Sequence, residues 1–570
     1  MADVGPPSTL QSYLNRRKGA LTAERESFIS HYKEIADNIQ PRRGRFYPQD
    51  RNKGERRHNL IINSKGTQAL RTATSGVFSG VMSPSRPWFS LGTPDPGMME
   101  FMPVKVWLNQ VELLMRAIFN SSNLYNMAPT MLAETLLFGT GCMLHVDDFD
   151  DVARFYTQTA GSYMIGQNHR CEVDTLLREY EMTVSQMVGM FGLENVSLSV
   201  KDQWDKGNYE VWYPCCHLIE PNPDKKMNSL FNIDKAFRSV YFEPASTNKA
   251  QDKDKILRKS GFDNFPAYVP RWGVTGEDVY GTDCPGMVAL GDVKSLQIEE
   301  KRKAQAIDKM VNPPLKGPAS AKNVPISSLP GGVTIYDGST DREGLGPLYM
   351  VNPQINELMM DIQKTELRIE EAFFVDLFRA ISNMQGIQPK NQLELSQRNE
   401  ERLQELGPVL EQLHGEFLDK LIDRTFDQAV KANILPPAPP ELEGQELKVS
   451  YISSLAQAQR AVATGGIERI TAFVLGMAQA NPAVLDKYDM DQAIDEFGNA
   501  IMAPPKLIKS DEVVAKKRQA DAEAMAQQQQ QEQQMAMMST AADAGSKLAN
   551  IMPDEMKNKI GDSMGEMANG

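Results

Sequence analysis

Five residues in the middle of this 570-residue chain carry the thiol and imidazole groups that bind zinc in proteins. Cys215, Cys216 and His217 are consecutive, and His169 and Cys171 precede them. Adjacent cysteines cannot easily both reach one tetrahedral ion, and no Cys-x-x-Cys pair is present. We therefore expect small buried side chains here rather than a metal site.

A run of aspartates lies earlier in the chain, formed by Asp147, Asp148, Asp150 and Asp151. Such carboxylates could bind a divalent cation, and a metal-dependent nuclease would use them to activate water. The run lacks the glycine and the distal glutamate of a calcium loop. An acidic turn that follows a strand is the interpretation we favour.

The motifs of common enzyme classes are missing from the sequence. Ser64–Thr67 has the wrong residue order for a phosphate-binding loop, and there is no Gly-x-Ser-x-Gly nucleophile motif. The six histidines are scattered, without a nucleophile beside them. We therefore expect a protein that is not an enzyme and that uses no cofactor and no metal.

Charge and composition narrow the class of protein further. The net charge of −13 argues against nonspecific wrapping of nucleic acid. A basic stretch from Arg42 to Arg57 could meet phosphate, although a solvated or salt-bridged loop explains it better. No apolar run is long enough to span a membrane, and the N-terminus lacks a signal pattern, so neither a membrane location nor secretion is expected. Five irregularly spaced cysteines favour a reducing compartment.

The elements that must position these residues indicate an α+β, mainly helical fold. Helices are predicted over residues 8–40, with Thr22 as a possible N-cap, and over 59–81, 104–120 and 127–138. A short strand is expected at Trp88–Leu91, another follows Gly139, and residues 150–280 alternate strands and turns around one helix at Thr183–Met190. Residues 392–433 predict a further helix with a kink at Gly407.

Two long helical segments, Met287–Val311 and Asn352–Arg379, are joined by a connector of nearly forty residues that is rich in proline and glycine. A narrow apolar stripe on a long helix usually packs against repeated neighbours. We predict that the stripe of the second segment forms a subunit interface through Ile355, Ile362, Ile369 and Phe373. An antiparallel helix pair within one domain is the alternative.

The last part of the chain is divided by prolines. Pro436–Pro440 predicts a stiff linker, and a helical unit follows at residues 450–503. Beyond it lies a tail rich in Gln, Ala and Met that contains Gln527–Gln531, and we expect this tail to be flexible or loosely helical.

Four segments in this order resemble the head-to-tail connecting (portal) proteins of short-tailed bacteriophages. Ser83–Leu91 is similar to a proline-flanked Trp-Phe segment of that family, and Phe138–Gly141 to a glycine turn that opens a strand. Tyr280, followed by Ala289–Val293, resembles the start of the family's stem, and Ser453–Arg460 a segment before its crown. The resemblance covers about residues 8–500.

The sequence departs from the family at two places. Gly281–Pro285 stands where the family has a Gly-Arg-Gly-Pro turn, and Gln392–Leu395 stands where it has a threonine-rich element. Because of the second departure, the resemblance does not fix where the tunnel loop ends. The resemblance nevertheless implies these divisions: wing 1–285, first stem helix 286–312, clip 313–350, second stem helix 351–380, tunnel loop 381–392, kinked wing helix 393–435, helical crown 436–505 and C-terminal tail 506–570.

The resemblance also implies a function. Such a subunit forms a homo-oligomeric ring, about a dodecamer, at one capsid vertex of the virion. The ring is the channel for DNA packaging and ejection, and it binds the terminase packaging motor, tail adaptor proteins, and capsid and scaffolding proteins after synthesis in the host cytoplasm. Contacts with the double-stranded DNA are expected from the tunnel-loop residues Asn383, Gln385, Gln388, Lys390 and Asn391.

One alternative function remains open. Another phage structural protein, such as a tail adaptor or an internal ejection protein, would explain the glutamine-rich tail. It would not explain the two matched helical segments. The sequence therefore favours the portal interpretation.

Overall fold

The structure is a computed structural model, and its chain divides into two compact units, Met1–Val462 and Ala463–Gly570. It describes the following residues: 10–47, 50, 54, 57, 59–95, 98, 101–148, 150–227, 229–244, 256–311, 315–316, 346–347, 355–383, 406–442, 448–451, 470–478, 487–500, 514–526, 535, 537 and 539. Each unit is considered by itself below.

Helices form the main core of the first unit. The first helices in chain order are α1 (Leu10–Ile39), α2 (Lys65–Val81), α3 (Met102–Ser121) and α4 (Leu124–Phe138). The prediction of an N-cap at Thr22 is wrong, because α1 continues through this residue. The Thr22 hydroxyl donates to the Lys18 carbonyl one turn earlier at 2.8 Å, a contact that keeps an interior threonine satisfied. Gly139 ends α4 at a φ of 80°, as the sequence predicts.

Two antiparallel sheets pack beside these helices. The smaller sheet has the order β3–β2–β9, and the larger has the order β4–β5–β6–β7–β8. Their strands are β2 (Cys142–Asp148), β3 (Val152–Gln158), β4 (Tyr163–Gln167), β5 (Val173–Thr183), β6 (Trp212–Pro221), β7 (Phe237–Phe242), β8 (Ile256–Phe262) and β9 (Ala267–Tyr268). The predicted α+β class is confirmed.

Two short helices join β5 to β6. The first, α5 (Val184–Phe191), begins at a capping box in which the Thr183 side chain and Gln186 satisfy each other's backbone N–H groups. The second, α6 (Leu198–Asp205), is capped by Ser197 and was not predicted. Ser197 is a common capping residue, but a helix of eight residues gives little periodicity to detect.

The two long segments are helical where the structure describes them. The first is α7 (Pro285–Val311), and the second divides into α8 (Ile355–Ala372) and α9 (Val375–Asn383). The break comes at Phe374, whose φ of 53° is unusual for a bulky residue. Just beyond α7 and before α8, β10 (Leu315–Lys316) and β11 (Gly346–Pro347) pair antiparallel, which brings the two ends of the connector together.

A last helical stretch and a returning strand complete the first unit. Residues 406–413 are helical, a π-helical turn follows at His414–Leu418, and α10 (Asp419–Lys431) continues the helix. Gly407 lies inside this stretch, while residues 392–405 of the predicted kinked helix lie outside the described residues. After the prolines, β12 (Lys448–Tyr451) pairs antiparallel with β1 (Phe89–Gly92). This strand belongs to the first compact unit, which extends to Val462.

The second unit contains helical residues 470–478, α11 (Met490–Ala500) and helical residues 514–526. Arg518 forms an ion pair with Asp491 that joins two of these segments, with an Nη1–Oδ2 distance of 2.5 Å. The segments Ser453–Arg460 and Gln527–Gln531, which entered the sequence analysis, lie outside the described residues.

Candidate functional site: a helix pair that leaves its core

The helices α7 and α8 pack side by side, but only part of the pair is buried. Ala289, Leu290, Val293 and Leu296 of α7 are buried against the main core. From residue 298 to residue 311 every residue of α7 is exposed or half-buried. The charged run from residue 299 to residue 303 begins at this transition. The pair therefore leaves the body of the subunit about halfway along α7.

A polar clamp holds the helix pair where it leaves the body. The side chain of Gln297, itself buried, accepts hydrogen bonds from the backbone N–H groups of Ile62 at 2.7 Å and Asn63 at 2.9 Å. Its amide donates to the Asn63 carbonyl at 2.9 Å. The Asn63 side chain donates to Glu300 of α7 and to Glu366 of α8. A single loop residue thus cross-links both helices.

Lys65 strengthens the same clamp from the start of α2. Its Nζ lies 2.9 Å from a Glu370 carboxylate oxygen and 3.7 Å from one of Glu366. The sequence had suggested only that Ser64–Thr67 is not a phosphate loop. Sequence reasoning missed the clamp, because residues 63 and 297 are remote in the chain and no local motif joins them.

The predicted interface residues on α8 are largely covered by the chain itself. Ile369 and Phe373 are completely buried and Ile362 nearly so, all in the main core cluster, while Ile355 is half-buried. Whether they also approach a neighbouring subunit stays a prediction. Leu367 lies on the same helix and is 59 % exposed. It is therefore better placed to meet another chain.

Exposed apolar side chains accumulate along the helix pair and beside the clamp. Most large apolar side chains of a soluble protein are covered, so a cluster that remains exposed indicates an interaction surface. We call the following set the stem surface: Leu60, Ile62, Val288, Ile298, Ile307, Met310, Val311, Met359, Met360 and Leu367.

The predicted DNA-contacting residues begin at Asn383, the last residue of α9. The structure describes α9 up to Asn383, and Gln385, Gln388, Lys390 and Asn391 lie outside the described residues. Phe378 anchors α9 to the body, because its ring lies so close to Gly76 of α2 that a Cβ there would be 2.2 Å from Phe378 Cγ. The segment that follows therefore starts from a fixed helix.

The thiol and imidazole cluster forms part of the sheet core. Cys215 and Cys216 are consecutive on β6 and belong to different hydrophobic clusters, as expected for side chains that alternate across a strand. Burial raises the pKa of both thiols to about 12. His217 Nε2 pairs with Ser239 Oγ at 2.8 Å. Within the described residues, no three His, Cys, Asp or Glu side chains are grouped to hold a metal ion.

The aspartate run forms the predicted acidic turn between β2 and β3. Asp148 Oδ1 accepts hydrogen bonds from the backbone N–H groups of Asp150 at 2.8 Å and Asp151 at 3.3 Å. These bonds hold the pKa of Asp148 below its ordinary value. Asp147 contacts Arg424 at 3.4 Å and so links the turn to α10. The carboxylates of Asp147 and Asp148 are therefore used in the fold.

The basic stretch is also partly used in the fold. Arg43 Nη1 lies 2.5 Å from Glu134, whose carboxylate is fully buried, and donates to the Thr130 carbonyl at 3.2 Å. Burial raises the pKa of Glu134, and Arg43 opposes that shift. Arg45 Nε donates to the Asp50 carbonyl at 2.9 Å. The salt-bridged interpretation is confirmed for Arg43, whereas the contact of Arg45 is a hydrogen bond to a backbone carbonyl.

Arg271 forms a buried junction that the sequence did not reveal. It is 5 % exposed, it forms an ion pair with Glu416 in the π-helical turn, and it donates to the Cys171 carbonyl at 2.9 Å. The junction fastens the helix of residues 406–431 to the sheets. No short motif contains its members, which lie a hundred or more residues apart.

None of the helices that the structure describes has the length and apolar character to cross a membrane.

Comparisons with known proteins give a consistent result. Residues 11–508 match the family described as "Bacteriophage head to tail connecting protein". The chain is 44 % identical over 515 residues to a portal protein of Salmonella phage epsilon15, an alignment that covers 90 % of this chain and 92 % of the relative. It is 43 % identical over 546 residues to a probable portal protein of Bordetella phage BPP-1, with 95 % and 96 % covered.

Proposed function

The chain belongs to the family of bacteriophage head-to-tail connecting proteins, and on that premise we propose that it is a portal subunit. Copies of it form a ring at one vertex of the capsid. DNA enters through this ring during packaging and leaves through it during ejection. The protein is a component of the virion.

The observation that carries this proposal is the stem surface. Beyond the clamp at Gln297, α7 keeps apolar residues such as Ile298, Ile307 and Met310 in solvent. A helix pair of this kind gains stability when neighbouring copies cover it. In a closed ring each copy offers one side to the preceding subunit and the other side to the next, so every stem surface is covered.

The remaining parts of the chain are assigned by the same proposal. Residues 1–285 and 393–435 form the wing, α7 and α8 the stem, residues 313–350 the clip and residues 436–505 the crown. The antiparallel pairing of β10 with β11 supports a clip that leaves and returns at one end of the stem. The net charge of −13 suits a channel in which DNA must slide rather than adhere.

The proposed role is structural and not enzymatic. ATP hydrolysis belongs to the terminase motor, which docks on the clip during packaging. Tail adaptor proteins take its place afterwards, while capsid and scaffolding proteins surround the wing during assembly in the host cytoplasm. A tail adaptor or an internal ejection protein is less well supported, because both relatives are named as portal proteins.

Electron microscopy of the purified protein tests the proposal. We expect rings of about twelve subunits with a central hole, and we expect procapsids assembled with the protein to contain one ring each. Protein that remains monomeric at micromolar concentration would contradict the ring. Rings that never enter procapsids but bind to filled heads would identify a tail adaptor instead.

We also assign the segment after α9 to the DNA channel. Its residues Asn383, Gln385, Gln388 and Asn391 can touch phosphate without binding it tightly, and Lys390 would recur once per subunit as a weak basic belt. Deletion of residues 384–390 should leave ring assembly intact and reduce the length of DNA retained in filled particles. Full-length, stably held genomes in such particles would reject this role, and loss of rings would show that the segment is structural.

A further inference from the structure

The loop that joins β6 to β7 holds large apolar side chains in solvent. Leu230 is 97 % exposed and Phe231 is 74 % exposed, and both lie in a loop with ordered polar contacts. Asn222 Nδ2 donates to the carbonyls of Ile233 at 3.0 Å and Lys235 at 2.9 Å. These bonds hold the base of the loop, and within it Ser229 Oγ donates to Asp234 Oδ2 at 2.7 Å. We call Met227, Leu230, Phe231 and Ile233 the apolar knob.

A second exposed apolar group lies at the opposite end of β6. The backbone N–H groups of Val184 and Ser185 in α5 donate to the carbonyls of Val211 at 3.0 Å and Tyr209 at 3.1 Å, which fixes the segment before β6 against that helix. Exposed apolar side chains lie on α5, on α6, in the turn between these helices and in the segment before β6. We call the following set the acceptor patch: Met190, Leu193, Leu198, Tyr209, Val211 and Trp212.

The knob and the patch are separated by the length of one strand. β6 begins at Trp212, in the patch, and ends at Pro221, where the knob loop starts. Ten residues of extended chain span about 30 Å. The two apolar groups therefore lie on opposite ends of one rigid sheet. A ring interface joins two different surfaces of the same chain, and this arrangement supplies such a pair.

The charges around the two groups differ. Acidic residues predominate around the patch, with Lys201 and Lys206 opposed by Glu181, Glu194, Asp202, Asp205 and Glu210. The knob loop carries Lys225, Lys226 and Lys235 with Asp224 and Asp234, and the ion pairs Lys226–Asp234 and Lys235–Asp263 leave it close to neutral. Repulsion between two acidic patches disfavours patch-to-patch contact, whereas a nearly neutral knob meets the patch without that penalty.

We propose that the apolar knob of one subunit docks on the acceptor patch of the next subunit, with a second copy of this chain as the partner. The inference rests on the proposed ring, and it adds a wing contact to the stem contact. Leu230 and Phe231 are the anchor residues, because Leu230 is the most exposed side chain of the knob and Phe231 is its one aromatic side chain.

Chemical cross-linking within rings tests the contact. A chain that carries Leu230→Cys and Leu198→Cys is assembled, treated with a short bismaleimide and separated under denaturing conditions. We expect a ladder of covalent oligomers that reaches the full ring. Each single variant, and a matched pair of Leu230→Cys with Leu113→Cys on the exposed face of α3, should give no ladder. The unsubstituted chain measures the background from Cys171, since the other four cysteines are buried.

The outcomes separate this inference from the proposed function. Intact rings without a ladder would overturn the knob contact and leave the portal proposal unaffected. Failure of the unsubstituted chain to form rings would overturn the portal proposal.

As a second measurement, Leu230→Ser with Phe231→Ser should raise the subunit concentration needed for half-assembly about tenfold, with the unfolding midpoint of the dilute subunit unchanged. Unchanged assembly combined with loss of rings from procapsids would overturn the inference and indicate a capsid protein as the partner.

Discussion

The five-stranded sheet and the α7–α8 pair bury their apolar residues in different ways. Consecutive residues of the central strands belong to different clusters: Leu176 faces one that includes Tyr280, and Leu177 faces one that includes Leu14 of α1. The chain itself thus covers both faces of the sheet. The helix pair is covered only up to the clamp at Gln297, and its remaining length keeps apolar residues in solvent.

This difference shows which part of the chain folds alone and which part is built for assembly. The sheet and its helices have the buried polar groups and the filled core of an independent domain. The outer part of α7 has neither, and in a single subunit it is held by its pairing with α8. Stability of the subunit and stability of the ring should therefore respond to different residues, even when these are neighbours on one helix.

The largest expected effect comes from a matched pair of substitutions on α8. Ile369 is completely buried in the subunit, so Ile369→Asp places an unpaired carboxylate in the core and should cost about 4 kcal/mol in the free energy of unfolding. Leu367→Asp, two residues away and exposed, should change that free energy by less than about 0.5 kcal/mol yet prevent ring formation. Urea denaturation measures the first quantity and sedimentation velocity the second.

This pair also tests the predicted subunit interface at Ile362 and Ile369. That prediction implies that aspartate at these positions harms assembly more than folding, whereas their burial in the subunit's own core leads us to expect the opposite order. A stably folded Ile369→Asp subunit would contradict the structural argument. Full rings formed by Leu367→Asp would show that the stem surface does not mediate assembly.

The sequence predicted the features that depend on local chemistry. Proline and glycine positions marked the ends of α1 and α4, and apolar periodicity indicated α7 and α8. The break at Phe374 was missed because no glycine or proline marks it. The pairing of β12 with β1 and the Arg271–Glu416 junction were missed because their members are far apart in the chain. In the candidate site, the sequence predicted the helices. It did not predict which faces of these helices are buried by the rest of the same chain.

The next prediction concerns two buried histidines of the sheets, and it is tested by the pH dependence of the free energy of unfolding. Burial holds the pKa values of His145 and His217 well below 6.5, and neighbouring arginines reinforce the shift. In the unfolded chain these histidines bind protons near pH 6.5, whereas in the folded chain they stay neutral. The free energy of unfolding is therefore retained above pH 6.5 and falls as the pH drops below it. Below pH 6.5 the slope from each histidine approaches about 1.4 kcal/mol per pH unit, which amounts to about 1.4 kcal/mol in total between pH 7.5 and 5.5.

Unfolding free energies at pH 7.5 and 5.5 measure this slope. His217→Phe keeps a ring on Tyr241, which stacks on His217 at a centroid distance of 3.7 Å, and should remove about half of the combined slope of the two histidines. The matched control is His31→Phe, because His31 is exposed on α1. An equal pH dependence in the His217 variant and the unsubstituted protein would show that His217 does not remain neutral in the fold.

The smallest effect in the subunit comes from the ion pair between Arg368 of α8 and Asp292 of α7. Its Nε–Oδ1 distance is 2.9 Å and both side chains are partly exposed, so Arg368→Ala should cost about 0.5 kcal/mol or less in the dilute subunit, and less still at high salt. If a neighbouring stem covers this side of the pair, the same substitution leaves Asp292 buried without its partner. The cost in the ring should then reach several kcal/mol per interface.

The control is Lys294→Ala, which removes another exposed ion pair of α7, the one with Glu34 of α1. Urea-induced dissociation of rings, compared with unfolding of the dilute subunit, measures the difference. Equal small effects in both states would place the Arg368 side of the helix pair away from the subunit interface.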